Sequence, residues 1–270
     1  EFSESFGQTV TDRQENRLYS GEFTLTIYFR LFIAELFPEL DKAVYIDSDT
    51  VINDDIAKLY SVDIGDAMFG AVRDTFAGKN TILAHYIENV VGIERNEYVN
   101  SGVLVMNLDK MRRTHLADIF LKLMAEYHFD SVAPDQDYIN AICAKDIYFL
   151  DKEWNVMPNK GGEYMARPKL IHFNLFDKPW HYSEISYEEY FWQYAAESGF
   201  YPLLIKQREQ YGDSERSADR ENLKKLLARA ENIADGDGVK FSDVVGNRFV
   251  ENSDFVRDSD FVRDSSDAVK

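Results

Sequence analysis

The sequence predicts an α/β domain in which helices flank a mostly parallel β-sheet. Apolar runs of strand type alternate with helical patterns, and such alternation is typical of a sheet that is covered on both faces. The chain has 270 residues, of which 45% are hydrophobic, and this is enough for one sizeable globular domain. The runs that predict the strands are residues 43–46, 67–72, 102–106, 147–150 and 170–173.

The helices are predicted from apolar residues that recur with helical spacing. Pro38 ends the first pattern, and Pro134 occupies a favourable first-turn position in the last. These predicted helices cover residues 24–37, 82–91, 116–127 and 134–144.

The character of the sequence changes after about residue 205. Residues 215–234 are highly charged with one apolar face, which predicts an amphipathic helix. A hexapeptide, Ser-Asp-Phe-Val-Arg-Asp, occurs twice in succession within residues 253–264, and two short copies are too few for a repeat fold. The expected organisation is an α/β domain at 1–205, a C-terminal helical extension at 206–235 and a flexible acidic tail at 236–270.

The composition disfavours several classes of partner. The formal net charge of −18, from 30 basic and 48 acidic side chains, repels nucleic acid.

The single cysteine, Cys143, cannot form an intramolecular disulfide and lies in an apolar stretch, so we expect it in the core. No apolar run approaches the roughly 20 residues that span a bilayer, and the acidic start does not resemble a signal peptide. A cytoplasmic location is the default expectation.

The candidate metal site is the Asp-Ser-Asp sequence at residues 47–49. Asp47 and Asp49 follow an apolar strand, so both carboxylates lie in one turn and can face the same ion. Mg²⁺ and Mn²⁺ take hard oxygen ligands of this kind and share them with phosphate oxygens. Such an ion acts as a Lewis acid on a departing diphosphate. The alternative is a solvated turn, and the triplet with its strand supports the two interpretations equally.

A second enzymatic interpretation uses the same aspartates. Residues 44–51 resemble the Asp-x-Asp-x-Thr motif of haloacid-dehalogenase-type phosphatases, in which the first aspartate is the nucleophile. That class needs a downstream lysine and a later acidic pair. Asp237 and Asp243 imitate the pair weakly and no strand precedes them, so this is the weaker enzymatic hypothesis.

Other polar residues have ordinary explanations when they are taken one at a time. His172 ends a strand-like run, where it is either structural or a partner of the acidic pair in a metal site. Lys178 offers a positive charge to a phosphate or is a surface lysine. Asp135 and Asp137 fall in the first turn of a helix, where aspartate caps, but capping does not account for Gln136 between them.

In this order, the motifs resemble glycosyltransferase family 8 over about residues 28–180. Any single motif is weak evidence for the family, whereas the whole set in this order is highly specific for it. The matching pieces are Tyr28-Phe29-Arg30-Leu31, Pro38, Tyr45-Ile46-Asp47-Ser48-Asp49, Asp74, Tyr98-Val99-Asn100-Ser101-Gly102-Val103, Asn107, Asp135-Gln136-Asp137 with Asn140, and His172-Phe173 leading to Lys178-Pro179-Trp180.

The resemblance implies a GT-A fold, the α/β/α sandwich of nucleotide-diphospho-sugar transferases. It also implies retaining transfer of a hexose from a UDP-sugar, usually UDP-glucose or UDP-galactose. The implied ligands of Mn²⁺, with Mg²⁺ as the alternative ion, are Asp47, Asp49 and His172. The residues implied to hold the donor are Arg30, Asp47, Asp74, Asn100 and Lys178.

The resemblance further implies the residues at the reacting bond. Gln136 matches the residue beside the anomeric carbon, and Asp135 matches one that helps to place the acceptor. Because an amide is a poor nucleophile, we expect front-face attack by the acceptor rather than a covalent glycosyl-enzyme.

The implied acceptor is a glycan or a lipid-linked sugar, commonly in the synthesis of bacterial cell-surface polysaccharide. The resemblance allows peripheral contact with the inner face of the membrane, and a homo-oligomer. The alternative hypothesis is a truncated, non-catalytic relative whose helix at 215–234 and acidic tail bind a partner or promote oligomerisation.

Two features depart from the family pattern. Members normally begin with a strand-helix-strand unit before the helix that carries Arg30, whereas residues 1–22 show no strand pattern. We therefore expect this unit, which forms much of the uracil pocket, to be missing. Leu175 stands where the family usually has a glycine that offers its backbone to phosphate.

Overall fold

The structure, a computed structural model, describes residues 25–158 and 164–245. The strands are β1 (Lys42–Ile46), β2 (Thr50–Ile52), β3 (Phe69–Arg73), β4 (Val99–Asn107), β5 (Ile147–Phe149) and β6 (Leu170–His172). The helices are α1 (Ile33–Leu36), α2 (Ile56–Tyr60), α3 (Thr75–Lys79), α4 (Thr81–Tyr86), α5 (Leu108–Arg113), α6 (Leu116–Tyr127), α7 (Pro134–Cys143), α8 (Glu188–Glu197), α9 (Tyr201–Gln210), α10 (Asp213–Asp235) and α11 (Phe241–Val244).

The main sheet contains four strands in the order β1-β4-β3-β5. β1, β3 and β5 run in one direction, and β4 runs in the opposite direction between β1 and β3. Only the β3–β5 pairing of the described sheet is parallel. The prediction of a mostly parallel sheet is therefore right for the strand directions, since three of the four strands run the same way, and wrong for the pairings. The alternation of strands and helices along the chain does not reveal that β4 lies between its neighbours in the reverse direction.

β4 is a central strand, and every residue in it except the last is buried. Leu104 and Met106 belong to the larger core cluster, whereas Val103 and Val105 belong to a second cluster on the other face. Because both faces are covered, the strand has a continuous apolar run instead of an alternating one. The predicted strand at 102–106 is thereby confirmed.

The pairing of β4 with β3 shifts where β4 begins. Ala71 lies opposite Leu104 and Arg73 lies opposite Val99, so two positions along β3 correspond to five along β4. The pairing with β1 shows no such shift. A bulge of this kind bends a strand and re-aims its side chains. Residues 100–102 therefore leave the β3 ladder while they stay beside the end of β1.

A two-stranded antiparallel ribbon of β2 and β6 lies next to this edge. Thr50 lies opposite His172, so the turn after β1 and the end of β6 are neighbours. Val51, Ile171 and Phe173 pack together in a small third core. The sequence predicted β6, which lies in an apolar run, but not β2, which directly follows the acidic turn and contributes only two apolar residues, Val51 and Ile52.

The helix predicted for residues 24–37 is present as a 3-10 helix at Leu25–Phe32 that continues into α1. Tyr28 and Phe32 pack their rings against Phe120 of α6, with ring centroids 5.2 and 5.8 Å apart. This packing holds the helix against the domain and brings the buried Arg30 to the end of β1.

The predicted amphipathic helix is α10, and it packs against α4. Leu226, Leu227 and Ala230 lie against the larger core, which accounts for the apolar face. The boundary predicted after residue 205 falls inside α9. Within the described ranges, no helix combines the length and the apolar content that crossing a membrane requires.

The prediction of a flexible tail from residue 236 is wrong for residues 241–245. Phe241 of α11 is fully buried, and its ring centroid lies 4.1 Å from that of Phe129 and 4.9 Å from that of Tyr138. Residues 241–245 are ordered because this aromatic contact adds α11 to the larger core. Residues 246–270, with both copies of the hexapeptide, lie outside the described residues, as do residues 1–24.

We expect Phe241→Ala to lower the free energy of unfolding by about 3–5 kcal/mol, because it removes a fully buried ring. Urea unfolding followed by circular dichroism measures the change. Phe200→Ala is the matched control, since Phe200 is 67% exposed and its loss should cost less than about 0.5 kcal/mol. Equal costs for the two variants would contradict the assignment of α11 to the core.

Candidate active site

The predicted site residues converge on the edge of the main sheet where β1 and β3 end. Because β4 runs in reverse, its first residues lie beside the last residues of both neighbours. The end of β6 and the first turn of α7 complete the edge. The residues that meet there are Arg30, Asp47, Asp49, Asp74, Asn100, Asp135, Gln136, His172 and Lys178.

Two aspartates and a histidine form a candidate cation site. His172 Nε2 lies 3.3 Å from Asp49 Oδ1 and 3.7 Å from Asp47 Oδ2. One ligand atom from each of the three residues lies within 4.8 Å of the others. Carboxylate oxygens with an imidazole nitrogen suit Mn²⁺, and the carboxylates alone suit Mg²⁺. The cluster therefore fits a divalent cation in both chemistry and spacing.

Gly102 makes room for this cluster. A Cβ atom at this position would lie 2.2 Å from His172 Cε1 and 2.8 Å from Asp47 Oδ2. The missing side chain thus lets the imidazole lie directly against the backbone of β4. Sequence reasoning found Gly102 only as part of a motif, because the ring that needs the space lies far away in the chain.

Lys178 neutralises one carboxylate of the cluster. Its ammonium group donates hydrogen bonds to Asp49 Oδ2 and to the Phe173 carbonyl oxygen. Burial opposes ionisation of Asp49, but the contact with the His172 ring and the charge of Lys178 outweigh burial and hold the pKa of Asp49 well below its ordinary value. Asp49 therefore remains a carboxylate anion at neutral pH.

Arg30 is buried and joins three segments at the site. Its guanidinium donates to Asp47 Oδ1 at 3.0 Å and to the Ser101 carbonyl oxygen at 2.6 Å. Its Nε atom lies 3.2 Å from Asp135 Oδ2, and the centroid of the Tyr45 ring lies 4.3 Å from the guanidinium carbon. A planar guanidinium with five donors can serve all of these partners at once.

A second polar group of side chains lies beside the acidic cluster. Gln136 Oε1 accepts from the Ser101 amide at 3.0 Å and from Asn100 Nδ2 at 3.2 Å. Gln136 Nε2 donates to Asp74 Oδ2 at 3.3 Å. Asp74 in turn caps α3, since its Oδ1 accepts from the Ala77 amide at 2.9 Å. These contacts fix a set of donors and acceptors at the site.

Asp135 is buried in the same turn of α7 as Gln136. Burial raises the pKa of Asp135, and the charge of Arg30 and the hydrogen bond from Ser101 partly offset this effect. The Ser101 hydroxyl donates to Asp135 Oδ2 at 2.9 Å. Asp135 is thus held from two sides, by a side chain of β4 and by the helix that carries Arg30.

The first turn of α7 is anchored by Asp137, which is fully buried. Its carboxylate accepts from the hydroxyls of Tyr86 at 2.7 Å, Tyr98 at 2.5 Å and Ser131 at 2.5 Å. It also accepts from the Ala133 amide at 3.3 Å, which confirms the capping interpretation for this aspartate. The three hydroxyls carried no sequence signal, and they fix the two residues that precede Asp137.

Asn155 joins the two polar groups and was missed by sequence reasoning. It is 2% exposed and follows a 3-10 turn at Lys152–Trp154. Its Nδ2 donates to Asn100 Oδ1 at 2.9 Å, and its Oδ1 lies 3.1 Å from His172 Nδ1. Because Asn155 lies in an irregular connection between β5 and β6, neither periodicity nor a motif singles it out.

Asn107 is not part of this site. It is one of the ordered motif pieces, but β4 is reversed, so Asn107 lies at the opposite edge of the sheet from the other motif residues of the site. Its side chain there caps α5 by accepting from the Lys110 amide at 3.0 Å. Cys143 is buried, as predicted, and burial raises the pKa of its thiol.

Comparison with known proteins assigns the chain to one family. Residues 2–184 match the sequence profile described as Glycosyl transferase family 8. The chain belongs to glycosyl transferase family 8. The resemblance inferred from the ordered motifs is thereby confirmed.

Individual family 8 relatives agree with this assignment. The chain is 28% identical over 177 residues to the glycosyltransferase GlyF of Streptococcus pneumoniae, an alignment that covers 62% of this chain and 41% of GlyF. The galactosyltransferase LgtC, solved with donor and acceptor sugar analogues, is 25% identical with a TM-score of 0.57, over 66% of this chain and 68% of LgtC. The apo bifunctional glycosyltransferase WbbM is 24% identical with a TM-score of 0.62, over 70% of this chain and 38% of WbbM. The GT-A fold is therefore confirmed.

The chain is shorter than the relatives it matches. It spans between 40% and 66% of the length of three curated relatives.

Leu175 stands where family 8 usually has a glycine, and its backbone has a conformation that suits glycine. Its φ angle is 55°, in the left-handed region that residues with a Cβ atom rarely adopt. The side chain is 45% exposed. The loop between His172 and Lys178 thus has a left-handed residue at this position even though a leucine occupies it.

We expect Gly102→Ala to weaken the binding of a divalent cation by at least about tenfold, because the added methyl group must displace the His172 ring or the start of β4. Titration calorimetry with MnCl₂ measures the affinity. Gly199→Ala is the control, since nothing lies within 4 Å of a Cβ atom at that position. An unchanged affinity in Gly102→Ala would show that the cluster does not depend on this close packing.

Proposed function

We propose that this family 8 protein is a metal-dependent retaining glycosyltransferase that moves a hexose from UDP-glucose or UDP-galactose to a glycan or lipid-linked acceptor. The observation that carries the proposal is the position of the Asp47, Asp49 and His172 cluster. It lies at the same edge of the sheet as the buried polar side chains of Asp74, Asn100 and Gln136. Family membership and the galactosyltransferase LgtC among the structural relatives support the choice of donor.

In this proposal, Asp47, Asp49 and His172 hold Mn²⁺ or Mg²⁺. The bound ion supplies Lewis-acid stabilisation of the negative charge on the departing diphosphate. Lys178 adds a second positive charge on the same side, since its ammonium group already lies against Asp49. A chain with a net charge of −18 needs both positive charges, because its own field opposes the binding of a polyphosphate.

The donor sugar lies against Arg30, Asp74 and Asn100 in this proposal. The paired donors and acceptors of these groups suit the hydroxyls of a hexose. Asp74 and Asn100 are 6% and 5% exposed, and each already has hydrogen-bond partners. A sugar analogue that lacks a bonded hydroxyl would leave one of these buried groups unsatisfied, and this is the physical basis of donor selection.

Gln136 lies beside the anomeric carbon in the proposed complex. The bond that breaks joins this carbon to the diphosphate oxygen, and the bond that forms joins it to an acceptor oxygen on the same face. The acceptor proton passes to the departing phosphate oxygen. Gln136 Oε1 stabilises the positive charge that develops at the anomeric carbon, and the buried Asp135 helps to place the acceptor.

The two alternatives receive no support from the described residues. In α10, Leu226, Leu227 and Ala230 on the apolar face pack within the chain instead of facing outward to a partner. The phosphatase hypothesis needs Asp243 in a site, but its side chain accepts from the Lys240 amide at 2.9 Å as an exposed cap of α11. The acceptor, peripheral membrane contact and homo-oligomerisation remain proposals that follow from the family.

The protein should bind UDP in the presence of Mn²⁺ and release UDP slowly from UDP-glucose or UDP-galactose. Asp49→Asn should weaken Mn²⁺ binding by more than about 100-fold, because a direct ligand matters more than the outer partners of a metal site. Calorimetry and a UDP-release assay measure the two effects. Asp54→Asn is the matched control, since Asp54 also pairs with a lysine, Lys58, but lies outside the cluster.

The proposal is contradicted if neither UDP nor the intact donors bind to the unmodified protein with Mn²⁺ present. It is also contradicted if Asp49→Asn and Asp54→Asn behave alike.

Lys178→Met should weaken UDP binding by about 10- to 100-fold, the equivalent of one hydrogen bond to a charged group. Affinity for Mn²⁺ alone should stay the same or rise, because the variant removes an ammonium group that is bonded to Asp49. Separate titrations with MnCl₂ and with UDP distinguish the two effects. Lys58→Met, which removes the lysine of the Asp54 pair, should change neither, and a loss of Mn²⁺ affinity in Lys178→Met would contradict the assigned role.

A further inference from the structure

Three buried side chains connect the backbone of β4 to the imidazole of the candidate metal cluster. They are Asn100, Asn155 and His172, which are 5%, 2% and 3% exposed. Buried polar atoms need partners, so each contact in such a chain restricts the next. The direction of every hydrogen bond in the series can be assigned from one fixed point.

The fixed point is the backbone amide of Gly102. It lies 3.0 Å from one side-chain atom of Asn100, and an amide N–H can only donate, so that atom is Oδ1. The Nδ2 atom of Asn100 must then point the other way. There it meets Asp74 Oδ2 at 3.3 Å and Gln136 Oε1 at 3.2 Å, which are both acceptors.

The orientation of Asn155 follows from that of Asn100. Asn100 Oδ1 can only accept, so the Asn155 atom 2.9 Å away is Nδ2. The remaining side-chain atom of Asn155 is then Oδ1, and it lies 3.1 Å from His172 Nδ1. Because this oxygen also can only accept, His172 Nδ1 carries a proton.

We propose that Asn155 is a positioning residue that holds the Nδ1–H tautomer of His172 and thereby presents Nε2 as the metal ligand. The inference rests on the proposed metal-dependent function. Nε2 is the ring nitrogen that faces Asp49 Oδ1 and Asp47 Oδ2. An outer partner that bonds the other nitrogen of a metal-binding histidine fixes the ring and its tautomer.

The same residue couples the metal cluster to the donor-sugar group. Asn155 accepts from His172 with one atom and donates to Asn100 with the other, while Asn100 bonds Asp74 and Gln136. The two halves of the side-chain amide therefore have separable tasks. Loss of the oxygen affects the imidazole, and loss of the NH₂ group affects Asn100.

Two substitutions at position 155 separate these tasks. Asn155→Asp retains an oxygen toward His172 and loses the donor toward Asn100. Asn155→Leu has a similar size and loses both. Asn89→Asp and Asn89→Leu are matched controls, because Asn89 Nδ2 lies 2.9 Å from the ring nitrogen of His85 on an exposed surface away from the site.

The first measurement is a ¹H–¹⁵N correlation spectrum of the ring nitrogens without metal, in which the signals of His172 are assigned by their loss in His172→Gln. We expect a slowly exchanging Nδ1–H in the unmodified protein and in Asn155→Asp, and its loss in Asn155→Leu. A proton on Nε2 alone in the unmodified protein, or a signal in Asn155→Leu identical to that of the unmodified protein, would overturn the inference.

The second measurement is Mn²⁺ affinity by calorimetry, together with the turnover of UDP-sugar. Asn155→Leu should bind Mn²⁺ about 10- to 100-fold more weakly. Asn155→Asp should keep the Mn²⁺ affinity but lose turnover, since the bond to Asn100 is broken. Equal Mn²⁺ losses in both variants would indicate a general packing role and overturn the separation of tasks, and unfolding free energies measured in parallel identify variants that are only destabilised.

The two proposals fail in different ways. If the unmodified protein binds no Mn²⁺, the metal-dependent function fails, whereas the ring-nitrogen spectrum still decides whether Asn155 holds the tautomer. If Mn²⁺ binds but the His172 Nδ1–H signal does not depend on residue 155, only the positioning role fails.

Discussion

The site depends on the free backbone groups at the start of β4. The shift in its pairing with β3 releases residues 100–102 from that ladder, and their amides become available to side chains. The Ser101 amide then orients Gln136, and the Gly102 amide orients Asn100. A backbone N–H cannot reverse its direction, so it removes the ambiguity that a side-chain amide would otherwise have. The bulge thus determines which way the side-chain amides of Asn100 and Gln136 are oriented.

Electrostatics imposes a second constraint on the same edge. Asp47, Asp49 and Asp135 lie close together in a chain whose overall charge is strongly negative. Arg30 bonds two of these carboxylates and Lys178 bonds the third. Burial of a carboxylate without such a partner costs several kcal/mol or forces it to take up a proton. The two basic residues therefore offset the burial and the mutual repulsion of these carboxylates.

The sequence predicted the strands that carry the site because β1, β3 and β4 each contain an apolar run, and an apolar run is visible without a structure. The ordered motifs also identified the family, since their spacing reflects a shared fold. The reversed direction of β4 could not be predicted, because burial on both faces removes the alternation that marks an antiparallel strand. The same reversal places Asn107 at the opposite edge of the sheet from the site.

Other parts of the site were invisible for a different reason. Asn155 and the hydroxyl groups around Asp137 act through contacts between residues that are far apart in the chain. Their positions have no period and no motif, so only the folded chain reveals them. The prediction of a flexible tail failed at residues 241–245 for the same reason. Phe241 is ordered by its contacts with the rings of Phe129 and Tyr138, which are far away in the chain.

The pairing of each carboxylate in the metal cluster with a basic side chain has a consequence for how an ion would arrive. The cluster is already neutralised by Arg30 and Lys178, so the domain does not need an ion in order to fold, unlike small zinc domains that unfold without one. Entry of a divalent ion would be an exchange with the ammonium of Lys178, which would become free to move to an incoming phosphate. In the proposed function, such an exchange would keep the resting affinity for the ion moderate and would make ion and nucleotide bind cooperatively.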